Sequence, residues 1–144
     1  MAKHAADKIK SDKSVSEKKR VEAALPGGFR DYGPREARAK QWIVDTARAV
    51  FERFGFEPTE TSAVQRTDVL TGGETDSQKM IFSVAGSEEK QSGTSLRFDL
   101  TVPLARLIAA NPEIPKPFKR YEIGRVWRGE RQQAGRYREF TQAD

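Results

Sequence analysis

Large apolar residues are scarce at the start of this chain, then recur with two different periods. Across residues 1–24 only Met1, Ile9, Val15 and Val21 interrupt a run rich in Lys, Ser, Ala, Asp and Glu. Such a stretch cannot bury enough surface to offset the entropy of ordering it, and it reads as a basic, disordered extension. Further on, Trp42, Ile43, Ala47, Val50, Phe51 and Phe54 recur at helical spacing. Pro34 suits a first helical position, Glu36 falls inside the positive first turn, and Gly55 supplies a terminator. The spacing predicts a two-faced helix of about 20 residues that belongs to the core. The stretch "PGGFRD" ahead of it reads as a plain Gly-rich loop, because no strand precedes it to make a phosphate cradle.

After Gly55 the period shortens. "FEPTET" reads as a strand, with Pro58 placing it at an edge or a bulge. "KMIFSV" reads as a second and "SLRFDL" as a third, Leu96, Phe98 and Leu100 alternating with Arg97 and Asp99, and the polar loop "AGSEEKQSGT" lies between them. A helix follows at "PLARLIAA", opened by Thr101 and Pro103. "PKPFKRYEIGRVW" then leads into a long strand, and "GRYREFTQA" is its return partner. Short connections between strands predict an α+β fold, an antiparallel β-sheet flanked by helices.

Composition narrows the chemistry. The chain has 144 residues, about one domain, with a formal charge of +5. Residues 1–24 hold seven Lys or Arg against four Asp or Glu, so +3 of that charge sits in the extension. The rest is only mildly basic, which argues against a bulk nucleic-acid coat. Without cysteine there are no disulfides or thiolate metal sites. The lone histidine, His4, cannot supply a Ser-His-Asp triad or a histidine metal site, so no resident metal is expected. No apolar run approaches the roughly 18 residues needed to cross a bilayer, and the N-terminus lacks the marks of a targeting peptide. A cytoplasmic protein with no membrane partner is the expectation.

Six arginines, Arg120, Arg125, Arg128, Arg131, Arg136 and Arg138, gather around the last predicted hairpin. By strand alternation Tyr121, Ile123, Arg125 and Trp127 share one face, and Glu122, Gly124, Val126 and Arg128 the other. On the return strand Arg136, Arg138, Phe140 and Gln142 share a face, and Tyr137, Glu139 and Thr141 the opposite one. Depending on register, one face presents guanidiniums, a carboxylate, an aromatic ring and an amide. That is equipment for a nucleotide: forks for phosphate oxygens, a plane for a base and polar edges around it. A solvated hairpin whose arginines pair with Glu122, Glu130 and Glu139 is the alternative.

The stretch "FKRYEIGRVWRGERQQAGRYREFTQAD" resembles motif 2 of class II aminoacyl-tRNA synthetases, in its histidyl-tRNA synthetase version. "LPGGFRDYGP" is similar to that family's N-terminal signature and "LRFDLTVPLAR" to its substrate-binding segment, so the likeness runs over about residues 25–144 in order. It implies a partial class II catalytic core at 25–144 behind an extension at 1–24. Carried over, it makes Arg128 the catalytic arginine, which holds the ATP α-phosphate and the substrate carboxylate. Glu130 lies near the adenine amino group, Phe140 stacks on the base and Arg136 reaches the distal phosphates. Asp99 and Thr101 receive the histidine α-amino group, Leu100 contributes backbone and Gln142 helps hold the amino acid. ATP, brought with Mg²⁺, and histidine are then the substrates, tRNA(His) is the acceptor in the full-length enzyme, and a homodimer is a candidate assembly.

Motif 1 should follow the long helix. There Ser62 stands in place of the family's proline and Gln65 in place of its glutamate, both in the region that supports the dimer interface. The motif 3 arginine, the histidine-specific segment and the anticodon-binding domain have no counterpart up to Asp144, so the chain reads as an incomplete catalytic domain. Two other readings compete: a non-catalytic paralogue of the type that regulates ATP phosphoribosyltransferase, and a small basic RNA-binding module.

Overall fold

The described part of the fold opens on a loop held by Phe29 N–H to Pro26 O and turns into helix α1, Pro34–Arg53. The computed structural model describes residues 21–72, 80–84, 93–131 and 133–144. Most of the basic extension and residues 85–92 of the polar loop therefore lie outside the described residues.

In α1 the proline occupies the first turn, Glu36 lies in that turn, and Gly55 takes φ +77° just past the end, as the spacing predicts. Val44, Ala47 and Phe51 turn inward. Phe51 stacks on Tyr121 with centroids 5.1 Å apart, and the Tyr121 hydroxyl donates to Glu52 Oε1 at 2.8 Å. The expectation of a core helix is corrected, since no α1 residue is fully buried and Trp42 and Ile43 are 70% and 61% exposed. The face that carries Phe51 packs on Tyr121, and none of the described residues covers the face that carries Trp42 and Ile43.

Strand β1, Glu57–Pro58, pairs with β5, Arg120–Tyr121, in parallel, a two-residue pairing that stands beside the expected antiparallel ones. Parallel pairing also explains Pro58. Glu57 N–H donates to Lys119 O at 3.0 Å and Thr59 N–H to Tyr121 O at 2.8 Å, so the ladder uses the residues on either side and needs no N–H from the proline.

An antiparallel sheet in the order β2–β4–β3 follows, built from β2 (Val64–Arg66), β4 (Thr94–Leu96) and β3 (Ser83–Val84). The five-residue helix α2, Thr67–Thr71, follows β2 and was not predicted. The expected strand through "SLRFDL" stops at Leu96, and Arg97, like Ser95, is buried on the inner face where the sequence pattern predicts an outward residue. Helix α3 spans Thr101–Ala110, as expected, and Asp99 Oδ1 accepts from Val102 N–H at its start (3.2 Å). The last strands, β6 (Ile123–Trp127) and β7 (Glu139–Ala143), form the predicted hairpin. Its return strand begins at Glu139, later than the sequence suggests. The fold is thus α+β, with a small core in which Leu70, Leu100, Tyr121 and Val126 are the buried large apolar residues.

Candidate adenylate site

The hairpin register decides which residues meet. Val126 pairs with Phe140 and Gly124 with Gln142, which places Gly124, Val126, Phe140 and Gln142 on one face with Arg128 beyond the end of β6. Arg128 N–H donates to Arg138 O at 2.8 Å, carrying the pairing one step past the strand. Arg125 and Glu139 lie on the other face and pair at 2.7 Å.

Arg128 is half-buried. Its Nε donates to Phe98 O at 3.1 Å, and its guanidinium carbon sits 5.0 Å from the centre of the Phe140 ring. Among the described residues no carboxylate is within ion-pair distance of it. A cavity of about 280 Å³ opens beside this pair, and Glu130, Arg136 and Tyr137 also line it. Arg136 and Glu130 form an ion pair across it.

The arginines of the hairpin therefore divide. Arg136 is paired with Glu130 and Arg125 with Glu139, as the solvated alternative requires, while Glu122 is taken by Arg97. Arg120 is bound to Asp144 at 3.1 Å. Arg138 donates through Nε to Glu130 O at 3.1 Å. Arg128 is held by a carbonyl and a ring, and neither neutralises its charge.

Of the remaining predicted residues, Gln142 shares this face and Leu100 packs against Gly124, while none of Asp99, Leu100, Thr101 and Gln142 lines the cavity beside Arg128. Phe98 O, which holds Arg128, immediately precedes Asp99 in the chain. Asp99 spends one carboxylate oxygen on the α3 N-terminus. Leu100 is fully buried, and its Cδ2 lies 3.6 Å from where a Cβ on Gly124 would be. Thr101 Oγ1 donates to Asp144 Oδ2 at 3.4 Å, which ties the start of α3 to the end of β7. Gln142, opposite Gly124, has its Oε1 shut away from solvent with no hydrogen-bond partner among the described residues. Such an acceptor costs roughly 1–3 kcal/mol until a donor reaches it.

Two supports escaped the sequence reading. The loop 26–30 braces the hairpin: Arg138 N–H donates to Gly28 O at 2.8 Å, Phe29 meets Phe82 edge to face at 5.8 Å, and Arg30 Nη1 donates to Tyr137 Oη at 3.4 Å. That last bond, with Glu36 next, holds the Arg30 guanidinium above its ordinary pKa. The second support is a buried Arg97–Glu122 pair beneath Gly124. Its one sequence signal is an arginine between Leu96 and Phe98 in an otherwise apolar run.

An antiparallel hairpin whose Arg128 has no carboxylate partner among the described residues, beside a short helix whose first turn is bonded by Asp99, is the arrangement of the partial catalytic core of a class II aminoacyl-tRNA synthetase. The crystal structure of histidyl-tRNA synthetase from Nostoc sp. PCC 7120 has this fold with a TM-score of 0.72 and 36% identity, over 85% of this chain and 28% of that one. An ATP phosphoribosyltransferase regulatory subunit/histidyl-tRNA synthetase from Bacillus halodurans C shares the fold at the same TM-score and 23% identity, over 87% of this chain and 32% of that one.

The model of the histidyl-tRNA synthetase family matches residues 28–143, and the chain belongs to that family. Histidine–tRNA ligase of Aeropyrum pernix is 46% identical over 123 residues, and that of Gloeobacter violaceus 40% identical over 147. These matches cover 83% and 85% of this chain but only 28% and 31% of the relatives' own lengths.

Proposed function

We propose that this chain carries the ATP- and histidine-holding part of a histidine–tRNA ligase. The observation that supports it is Arg128: a half-buried guanidinium with no carboxylate partner among the described residues, set against an aromatic ring at a cavity. Leaving such a cation uncompensated is costly unless an anion arrives. ATP and a carboxylate supply two.

The reaction follows from that pairing. A carboxylate oxygen of histidine bonds to the α-phosphorus while the bond from that phosphorus to the α,β-bridging oxygen breaks, and pyrophosphate leaves with the electron pair. The nucleophile is already ionised, so no general base is needed and no histidine side chain of the protein takes part. The protein's work is to align two anions and offset their charge. Arg128 bridges the α-phosphate and the carboxylate, Phe140 stacks on adenine, and Glu130 accepts from its amino group. Arg136, released from Glu130, reaches the distal phosphates, and Mg²⁺ enters with the nucleotide. Asp99, through the oxygen not spent on α3, and Thr101 take the α-amino group. The orphaned Gln142 oxygen gains a donor from the amino acid, and Leu100 shapes the floor.

The same reading makes tRNA(His) the acceptor of the full-length enzyme, motif 1 the seat of a homodimer and the cytoplasm its place. It divides the chain into an extension at 1–24 and a partial catalytic domain at 25–144.

The test is titration of Mg-ATP into the parent chain, Arg128→Ala and Arg20→Ala, with melting curves for each. Loss of one aimed donor of this kind costs about 3–4 kcal/mol, roughly a 100- to 1,000-fold weaker affinity. Arg20→Ala should match the parent. Equal affinity in folded parent and Arg128→Ala would overturn the assignment. Histidine binding that ignores ATP would point to the regulatory paralogue, and RNA binding that ignores both, with steep salt dependence, to the RNA module.

A further inference from the structure

Two successive carbonyls hold the end of β6 and the side chain that leaves it. Trp127 N–H donates to Arg97 O at 3.0 Å, and Arg128 Nε donates to Phe98 O at 3.1 Å. The aim of the Arg128 guanidinium therefore depends on where the 97–98 backbone lies. Strand β4 has already ended at Leu96, so the ladder does not fix it. A bond from Arg97 N–H to Ala63 O at 2.9 Å secures one side.

The other side is secured by the side chain of Arg97. Its Nε donates to Arg125 O at 2.9 Å, and its Nη1 donates to Thr61 O at 2.7 Å, Thr61 Oγ1 at 3.0 Å and Glu122 Oε1 at 2.7 Å. The Glu122 carboxylate also accepts from Thr61 N–H at 3.1 Å and from Thr61 Oγ1 at 3.0 Å. Both charges are buried, Arg97 at 5% and Glu122 at 2% exposure. A Cβ on Gly124 would lie 2.3 Å from Arg97 Nη2, so the guanidinium fills the space that a side chain at 124 would need.

A buried ion pair is a poor source of stability, because desolvation offsets most of the attraction and a well-packed apolar group often does as well. What it offers is direction. A guanidinium donates in one plane along fixed axes, which an apolar group cannot do.

We propose that Arg97 is a positioning residue for Arg128. Clamped between Thr61, Glu122 and the Arg125 carbonyl, it fixes the backbone at 97–98, where the Arg97 carbonyl holds Trp127 N–H and the Phe98 carbonyl occupies Arg128 Nε and leaves Nη1 and Nη2 for the anions. The proposal rests on the reading of Arg128 given above, and its test has a readout that needs no nucleotide.

Arg97→Lys keeps a positive charge opposite Glu122 but gives up the fork, and Thr61→Val, nearly isosteric, removes one acceptor and one donor from the clamp. In ¹⁵N-labelled protein, solvent exchange of the Arg128 Nε–H should be slow in the parent. It should be at least tenfold faster in Arg97→Lys, and faster by a smaller factor in Thr61→Val, in forms that still melt cooperatively. Mg-ATP affinity should fall tenfold or more in Arg97→Lys. In an Arg128→Ala background, the same change should alter affinity less than twofold. A merely structural Arg97 would lower the melting temperature but leave Arg128 exchange unchanged and the two affinity losses additive. Unchanged Arg128 exchange in either folded variant overturns the proposal. If no form binds nucleotide, the ATP reading fails, while the exchange measurement still decides whether Arg97 positions Arg128.

Discussion

Gly124→Ala is the smallest change that should damage this fold most. The added methyl would sit 2.3 Å from Arg97 Nη2 and 3.3 Å from its Cζ, so one of them must move. At the free end of a flexible arginine such a clash would cost little. This end is not free: four hydrogen bonds of 2.7–3.0 Å hold it, one of them to a carboxylate that is itself buried. Shifting the guanidinium far enough to admit the methyl stretches the bond to Glu122. Outright separation of a buried pair costs about 3–5 kcal/mol, and overpacking by one methyl about 1–3 kcal/mol. Partial displacement places the expected loss near 3 kcal/mol, in a domain whose total stability is on the order of 5–15 kcal/mol. The assay is urea unfolding of parent and variant, with Gly33→Ala as control, because nothing lies within 4 Å of a Cβ at Gly33. The control should stay within about 1 kcal/mol of the parent, the loss expected for alanine in place of glycine at the α1 N-cap. A Gly124→Ala value no further from the parent than this N-cap control would show that the Arg97 clamp is loose, and the reasoning would fall with it.

Three further outcomes are expected. Phe140→Leu removes the plane beneath Arg128 and should weaken ATP binding by about 1–3 kcal/mol, with a smaller effect on inorganic triphosphate, as competition titrations would show. Burial first, and then the hydrogen bond to Glu52, raise the Tyr121 pKa above its ordinary value. The folded state therefore keeps that proton longer than the unfolded chain, and the stability linked to it is full below about pH 10 and lost as pH climbs further. Tyr121→Phe should flatten this alkaline decline in melting temperature. Arg125→Ala, which breaks a pair whose arginine is 65% exposed, should shift stability by less than about 1 kcal/mol.

Local chemistry made much of this molecule legible in its sequence. The bounds of α1 follow from Pro34 and Gly55, and those of α3 from the run beginning at Thr101, because helix ends depend on neighbours a few residues away. Strand alternation also put Arg128 with Gly124 and Val126, and Phe140 with Gln142. The order of the motifs led to the family. What alternation could not supply was register, which requires a partner strand. Only the pairing of Val126 with Phe140 set the two sequence faces on one side and separated Arg128 from the arginines with carboxylates.

Other features depended wholly on contacts across the chain. The parallel pairing of Glu57–Pro58 joins residues more than sixty positions apart. Arg97 sits where alternation alone would make it an outward residue, yet it is buried, because Glu122, Thr61 and the open space over Gly124 receive it. A charge enters an interior only where partners from distant segments meet it, and no local pattern records that meeting. The sequence by itself therefore determined the two longer helices, the hairpin and the chemical stock of the site. The tertiary structure decided which arginine meets the Phe140 ring with no carboxylate beside it, and which one is buried behind it.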